Sequence, residues 1–240
     1  MDELLAGRRV LVIGGSSGIG EATARRAARA GAGVTIAARG ASRLEAALAR
    51  LPAGVTAECM DVEDEAGTAA FFQRQPPWDH VVLAGSATRV GSVRDLPLED
   101  AYAAMQNKFW GAYHVGRNAL VAAGGSLTFV SGVYSQRPVV QAVLQGAINA
   151  AVESLARGLA LELAPRQVRV NTVSPSTTAT PLWDRLGPQG REAKFDAMAA
   201  RLPVARVADP DDIAQAILMV ATNRFMTGAT VLVDGGDALV

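Results

Sequence analysis

Val10-Leu-Val-Ile-Gly-Gly-Ser-Ser-Gly-Ile-Gly20 is the stretch that decides how this chain folds. An apolar run of strand character ends in glycines, and an alanine-rich helical pattern follows at once. Gly14, Gly18 and Gly20 give the spacing G-x-x-x-G-x-G. Glycine lets the backbone approach a bound group closely, because no Cβ stands in the way. The helix that follows turns its free N–H groups and positive dipole end toward the turn, where an anion is favoured. The pyrophosphate of a dinucleotide meets both conditions. A ligand-free turn uses the same residues, but a strand before and a helix after are the context that nucleotide binding requires.

Outward from this stretch, short apolar runs alternate with helical patterns. Strands are expected at Arg9–Ile13, Val34–Ala38, Val55–Cys59, His80–Ala84, Ser126–Ser131, Val168–Val173 and Thr230–Val233. Helices are expected at Ile19–Ala30, Arg43–Leu51, Glu63–Gln73, Leu98–Ala122, Val139–Leu163 and Pro210–Ala221. Such alternation predicts an α/β fold: one domain over 1–240, a doubly wound parallel sheet of seven strands with helices on both faces. Ligands of such sheets bind at the carboxyl ends of the strands. Residues 175–201 break the rhythm with prolines and an amphipathic patch around Trp183–Leu186. They read as a long irregular lid over the crevice, or as a surface excursion at a subunit contact.

Composition narrows the partners. Lys plus Arg and Asp plus Glu both number 23, so the formal net charge is zero. That balance gives no footing for nucleic acid or an anionic membrane, and no apolar run approaches membrane-span length. The first residues, Met1 to Arg9, lack the apolar core of a secretory signal. The single cysteine, Cys59, points to a reducing, cytoplasmic setting and reads as a small core residue. His80 and His114 stand apart with no ligand cluster, so no metal is expected.

The order of motifs resembles the short-chain dehydrogenase/reductase family over essentially the whole chain. The glycine loop matches, as do Asp61-Val62, Ala84-Gly85, Asn107, Arg169-Val-Asn-Thr-Val-Ser-Pro175, Pro210-Asp-Asp-Ile-Ala214 and Val233-Asp-Gly-Gly236. The resemblance implies a Rossmann fold binding a nicotinamide dinucleotide through Gly14, Ser16, Ser17, Gly18, Ile19 and Gly20. Asp61 and Val62 then hold the adenine, Ala84 and Gly85 line the turn after the fourth strand, and Pro175, Thr178 and Thr180 form the cofactor turn after the sixth. It also implies a small-molecule substrate and a homodimer or homotetramer built through the fourth and fifth helices.

At the end of the second strand, an acid would bond the ribose 2′-hydroxyl and select NAD. Here Ala38 and Arg39 stand there. A small residue leaves room for a 2′-phosphate and a guanidinium can bond it, so NADP(H) is favoured over NAD(H).

The family's proton machinery is a tyrosine with a lysine four residues on, and an orienting serine. The tyrosines are Tyr102, Tyr113 and Tyr134, followed four residues later by Gln106, Arg117 and Pro138. The lysines are Lys108 and Lys194. No register restores the pair. Setting the fifth helix on Glu153-Ser-Leu-Ala-Arg157 places Gln141 at the tyrosine and Gln145 at the lysine, with Gln145 in reach of the nicotinamide ribose. Ser131 precedes Gly132, which takes the serine's place. Two repairs are open: Tyr134 acts as the acid with Arg137 as its cation, beside Ser131 and Asn107, or water supplies the proton. The chain then reads as an NADP(H)-dependent oxidoreductase for a small carbonyl or alcohol with a non-standard proton-transfer site. The alternative is a weak or inert NADP(H)-binding protein, a redox sensor or an oligomer partner.

Overall fold

The computed structural model describes residues 2–85 and 89–240. A short helix α1 (Asp2–Leu5) leads into β1 (Arg9–Ile13), α2 (Gly18–Arg29), β2 (Gly33–Ala38), α3 (Ala41–Leu48), β3 (Thr56–Cys59), α4 (Glu65–Gln73) and β4 (Trp78–Leu83). Then come α5 (Leu98–Ala104), a π-helical turn (Met105–Trp110), α6 (Gly111–Asn118), β5 (Val121–Val130) and α7 (Val143–Glu162). The chain ends with β6 (Arg169–Pro175), α8 (Gly187–Arg201), α9 (Pro210–Thr222) and β7 (Thr230–Val233). The strands form one sheet in the order β3-β2-β1-β4-β5-β6-β7, every pair parallel.

Parallel strands covered on both faces need apolar residues on both, and β1 shows how this is met. Its alternate side chains go to opposite faces. Leu11 and Ile13 join a core roofed by Phe71 and Phe72 of α4, Val115 of α6, and Val152 and Leu159 of α7. Val10 and Val12 join a second core under Ala24 and Ala27 of α2, Leu44 of α3, and Ile213 and Ile217 of α9. β1 pairs with β2 on one side and β4 on the other, so the winding reverses there and opens a crevice at the strands' carboxyl ends.

Four expectations are corrected. The helix expected over Leu98–Ala122 stops at Asn118, because Val121 already pairs with Trp78 as the start of a ten-residue β5. Within that helical stretch, Met105–Trp110 widens into a π-turn, which shifts the phase of every side chain after it. The lid residues are not irregular: 181–186 form a 3-10 turn and 187–201 a helix. Cys59 is exposed at the edge strand β3 rather than buried. Among the described residues, no helix is long and apolar enough to cross a membrane.

Candidate active site

The glycine loop is closed by contacts that only glycine permits. Gly14 has φ +82, and a Cβ there would lie 2.2 Å from the Gly85 nitrogen. A Cβ on Gly20 would lie 2.2 Å from the Gly14 carbonyl oxygen. Gly18, at φ +54, sits under Thr180. Ser17 is the N-cap of α2, yet its hydroxyl bonds no backbone N–H of the helix, and it is exposed. The one acid in that first turn, Glu21, is neutralised by Arg25 at 2.6 Å and Arg50 at 2.7 Å. The helix N-terminus therefore keeps its affinity for an anion.

Beside it, past β2 and β3, lies a polar cluster. Asp61 Oδ1 accepts from the Glu63 N–H at 3.0 Å, and Val62 is buried against Gly111 with its carbonyl bound by His114 Nδ1 at 2.8 Å. Arg39, 45% exposed, donates to Glu63 Oε1 at 2.8 Å. Asn107 Nδ2 donates to the same oxygen at 2.8 Å.

The other end of the crevice is built where β5 stops. Lys108, from the π-turn, donates from Nζ to the Ser131 carbonyl at 2.7 Å. Asn149, from α7, donates from Nδ2 to the next carbonyl, Gly132, at 3.0 Å. Below them Glu153 Oε1 accepts from Ser131 Oγ at 2.8 Å and from Ser135 Oγ at 2.7 Å. Gln145 Nε2 donates to the Arg89 carbonyl. Two buried acceptors, Gln145 Oε1 and Asn149 Oδ1, find no donor among the described residues. Burying a polar atom without a partner is costly. Acceptors at this edge of the sheet suit the hydroxyl donors of a ribose, so the residues present fit a nicotinamide nucleotide.

Enclosure of its ammonium lowers Lys108 from the ordinary lysine range to about 8, against the opposing attraction of Glu153. Tyr134 moves the other way: burial raises its phenol, Asp237 raises it further, and Arg201 and Arg137 only oppose this.

The chain is similar in sequence and fold to known proteins. The family described as enoyl-(acyl carrier protein) reductase matches residues 14–237. D-erythrulose reductase of Gallus gallus is 30% identical, over 96% of this chain and 95% of its own length. L-xylulose reductase of Mus musculus is also 30% identical, over 98% of each. A solved short chain dehydrogenase/reductase family protein superposes with a TM-score of 0.84 at 33% identity, covering 98% of this chain and 99% of its own. The chain belongs to the short-chain dehydrogenase/reductase family. Another solved structure, a small-chain dehydrogenase in complex with NADPH, has a TM-score of 0.81 at 30% identity and covers 98% of this chain and 100% of its own.

The sequence sets Gln141 and Gln145 where the family resemblance implies a tyrosine and a lysine. Gln141 lies before α7 and is exposed. Gln145, in the first turn of α7, is buried, and Asn149, one turn on, is buried against Gly132. Both carry amides, which do not titrate usefully. The three expected catalytic residues make these contacts. Ser131 spends its hydroxyl on Glu153 inside the protein. Asn107 reaches Glu63 at the adenine side, and its neighbour Lys108 is the residue that reaches β5. Tyr134 has no lowered phenol for Arg137 to sustain.

Ala84 bonds Ile13, Gly85 presses on Gly14, and Pro175 ends β6. Thr178 is buried, bridged to Ala208, and its carbonyl holds the Trp183 indole at 2.9 Å. The sequence reading missed Lys108, Glu63, Asn149 and Glu153. For Lys108 a signal existed: it is one of two lysines in the chain. No cluster of metal-binding side chains occurs among the described residues.

Proposed function

We propose that this protein is an NADP(H)-dependent oxidoreductase that interconverts a small carbonyl compound and its alcohol, with a proton-transfer site of non-standard composition. One observation carries the reading: a complete phosphate cradle at Gly14–Gly20 with Arg39, not an acid, at the end of β2. The bound nicotinamide would supply or accept the hydride. Ser16, Ser17 and Ile19 line the cradle at the open N-terminus of α2 and hold the pyrophosphate. Arg39 exchanges Glu63 for the 2′-phosphate, and its planar fork suits a bidentate grip. Asp61 and Val62 hold the adenine, while Gln145 and Asn149 accept from the nicotinamide ribose. Pro175, Thr178 and Thr180 flank the nicotinamide beneath a lid formed by residues 175–201. The reading includes a cytoplasmic setting and a homodimer or homotetramer, the assembly supported by the exposed Tyr102 of α5, Trp110 of the π-turn, Tyr113 of α6 and Leu161 of α7.

The amides at 145 and 149 favour a second reading, a nucleotide-binding protein with little or no turnover. The names of the two ketose reductases put small hydroxyketones first on a substrate panel. NADPH consumption with any of them, dependent on Arg39, supports the oxidoreductase. Saturable NADPH binding without consumption across the panel leaves the second reading. No binding of NADPH or NADH removes both.

A further inference from the structure

We propose that Lys108, reaching across from the π-turn rather than from α7, holds and delivers the proton for the substrate oxygen. The inference rests on the oxidoreductase reading above. Its footing is geometric. Where the family resemblance calls for a tyrosine and a lysine, this chain carries two amides, Gln141 and Gln145. Lys108 brings an ammonium to the end of β5, on the carbonyl next to the one that Asn149 holds. An ammonium has three donors, and among the described residues one is bound, to Ser131.

Glu153 on α7 is the charged group whose field reaches Lys108. It is itself held by Ser131 and Ser135. Glu63, in the loop between β3 and α4, is occupied by Arg39 and Asn107. From β5 Lys108 meets a neutral carbonyl. A buried ammonium near 8 is charged at neutral pH and gives up its proton at modest cost, as a general acid should. π-turns recur at functional sites because they re-aim side chains within a helix, and here the turn contains Lys108.

In the reduction, the carbonyl carbon gains a hydride from the nicotinamide nucleotide. The C=O π pair moves to oxygen, which bonds a proton leaving Lys108 Nζ. The N–H pair stays on nitrogen, and the neutral amine recovers its proton from solvent. Oxidation of the alcohol runs the same transfers in reverse.

The chain's two lysines make a direct test possible. Protein labelled with [13Cε]lysine gives two side-chain signals, and K108M assigns them. We expect the Lys108 signal to titrate near pH 8, apart from Lys194, and to shift when NADP+ saturates the protein. A signal that titrates in the ordinary lysine range, or that saturating NADP+ leaves unmoved, overturns the inference alone. Absence of saturable nucleotide binding by fluorescence overturns the proposed function and this inference with it. In turnover, K108M should lower kcat/KM by about 10²–10⁴-fold, the usual worth of a general acid. K108R keeps the charge but cannot release a proton in this range, so it should be as slow as K108M. Wild-type turnover in K108R would overturn the proton role.

Discussion

Arg39 and Lys108 show what single residues decide here. Arg39 stands at the end of β2 in ion pair with Glu63. A charge-assisted bond is worth about 1.5–3 kcal/mol. R39A should therefore weaken NADPH binding by roughly ten- to a hundredfold and leave NADH binding nearly unchanged, as read by nucleotide fluorescence. Equal losses for both nucleotides would mean that Arg39 serves the pocket and not the 2′-phosphate. Arg39 was legible in the sequence because its meaning is local: a strand end with no acid and one cation. Lys108, Ser131 and Glu153 were not. Their meeting joins residues more than twenty positions apart, and the π-turn changes which side of the helix Lys108 faces. A periodicity of 3.6 carries no trace of that insertion.

Among the elements, β1 and β7 match their expected limits, since each apolar run is bounded by turn residues. β5 was read short because Ala122–Gly125 has no strand character of its own. It becomes strand through pairing between Trp78 and Val121. At this scale β4 carries a pH prediction. His80 is buried between β4 and its neighbours, bonded to Ser126 Oγ at 2.9 Å. Burial lowers it from 6.5 to about 4, outweighing the attraction of Asp79. A folded pKa below the unfolded one means that the unfolded chain takes the proton first. The stability that rests on neutral His80 is therefore whole above about pH 6.5 and is lost as the pH falls toward 4. The loss is on the order of 3 kcal/mol. Urea melts between pH 7 and 4.5 should show this slope, and H80Q should flatten it. An H80Q protein with the wild-type slope would refute the assignment.

Over the whole molecule, the doubly wound fold followed from strand–helix alternation, while the fastening of α8 did not. Asp237, near the C-terminus and fully buried, bonds Arg201 of α8 at 2.7 Å and Arg137 of the β5–α7 loop at 3.3 Å, and it accepts from Ser176 Oγ. One carboxylate thereby ties α8, the β5–α7 loop and the segment after β7 together. Removing one partner from a buried pair costs about 3–5 kcal/mol. Because both arginines keep some exposure, D237N should destabilise by about 3 kcal/mol in chemical denaturation and speed proteolysis within 187–201. Unchanged stability would show the three segments to be held by packing alone. The proposed function requires the nucleotide end of the crevice to select a 2′-phosphate, whatever the speed of the chemistry beside it. Fluorescence titration of the full chain with NADPH and with NADH tests that most directly. The structure predicts saturable binding of one NADPH per chain, at least about tenfold tighter than NADH. No saturable signal with either nucleotide, or tighter binding of NADH, would contradict it.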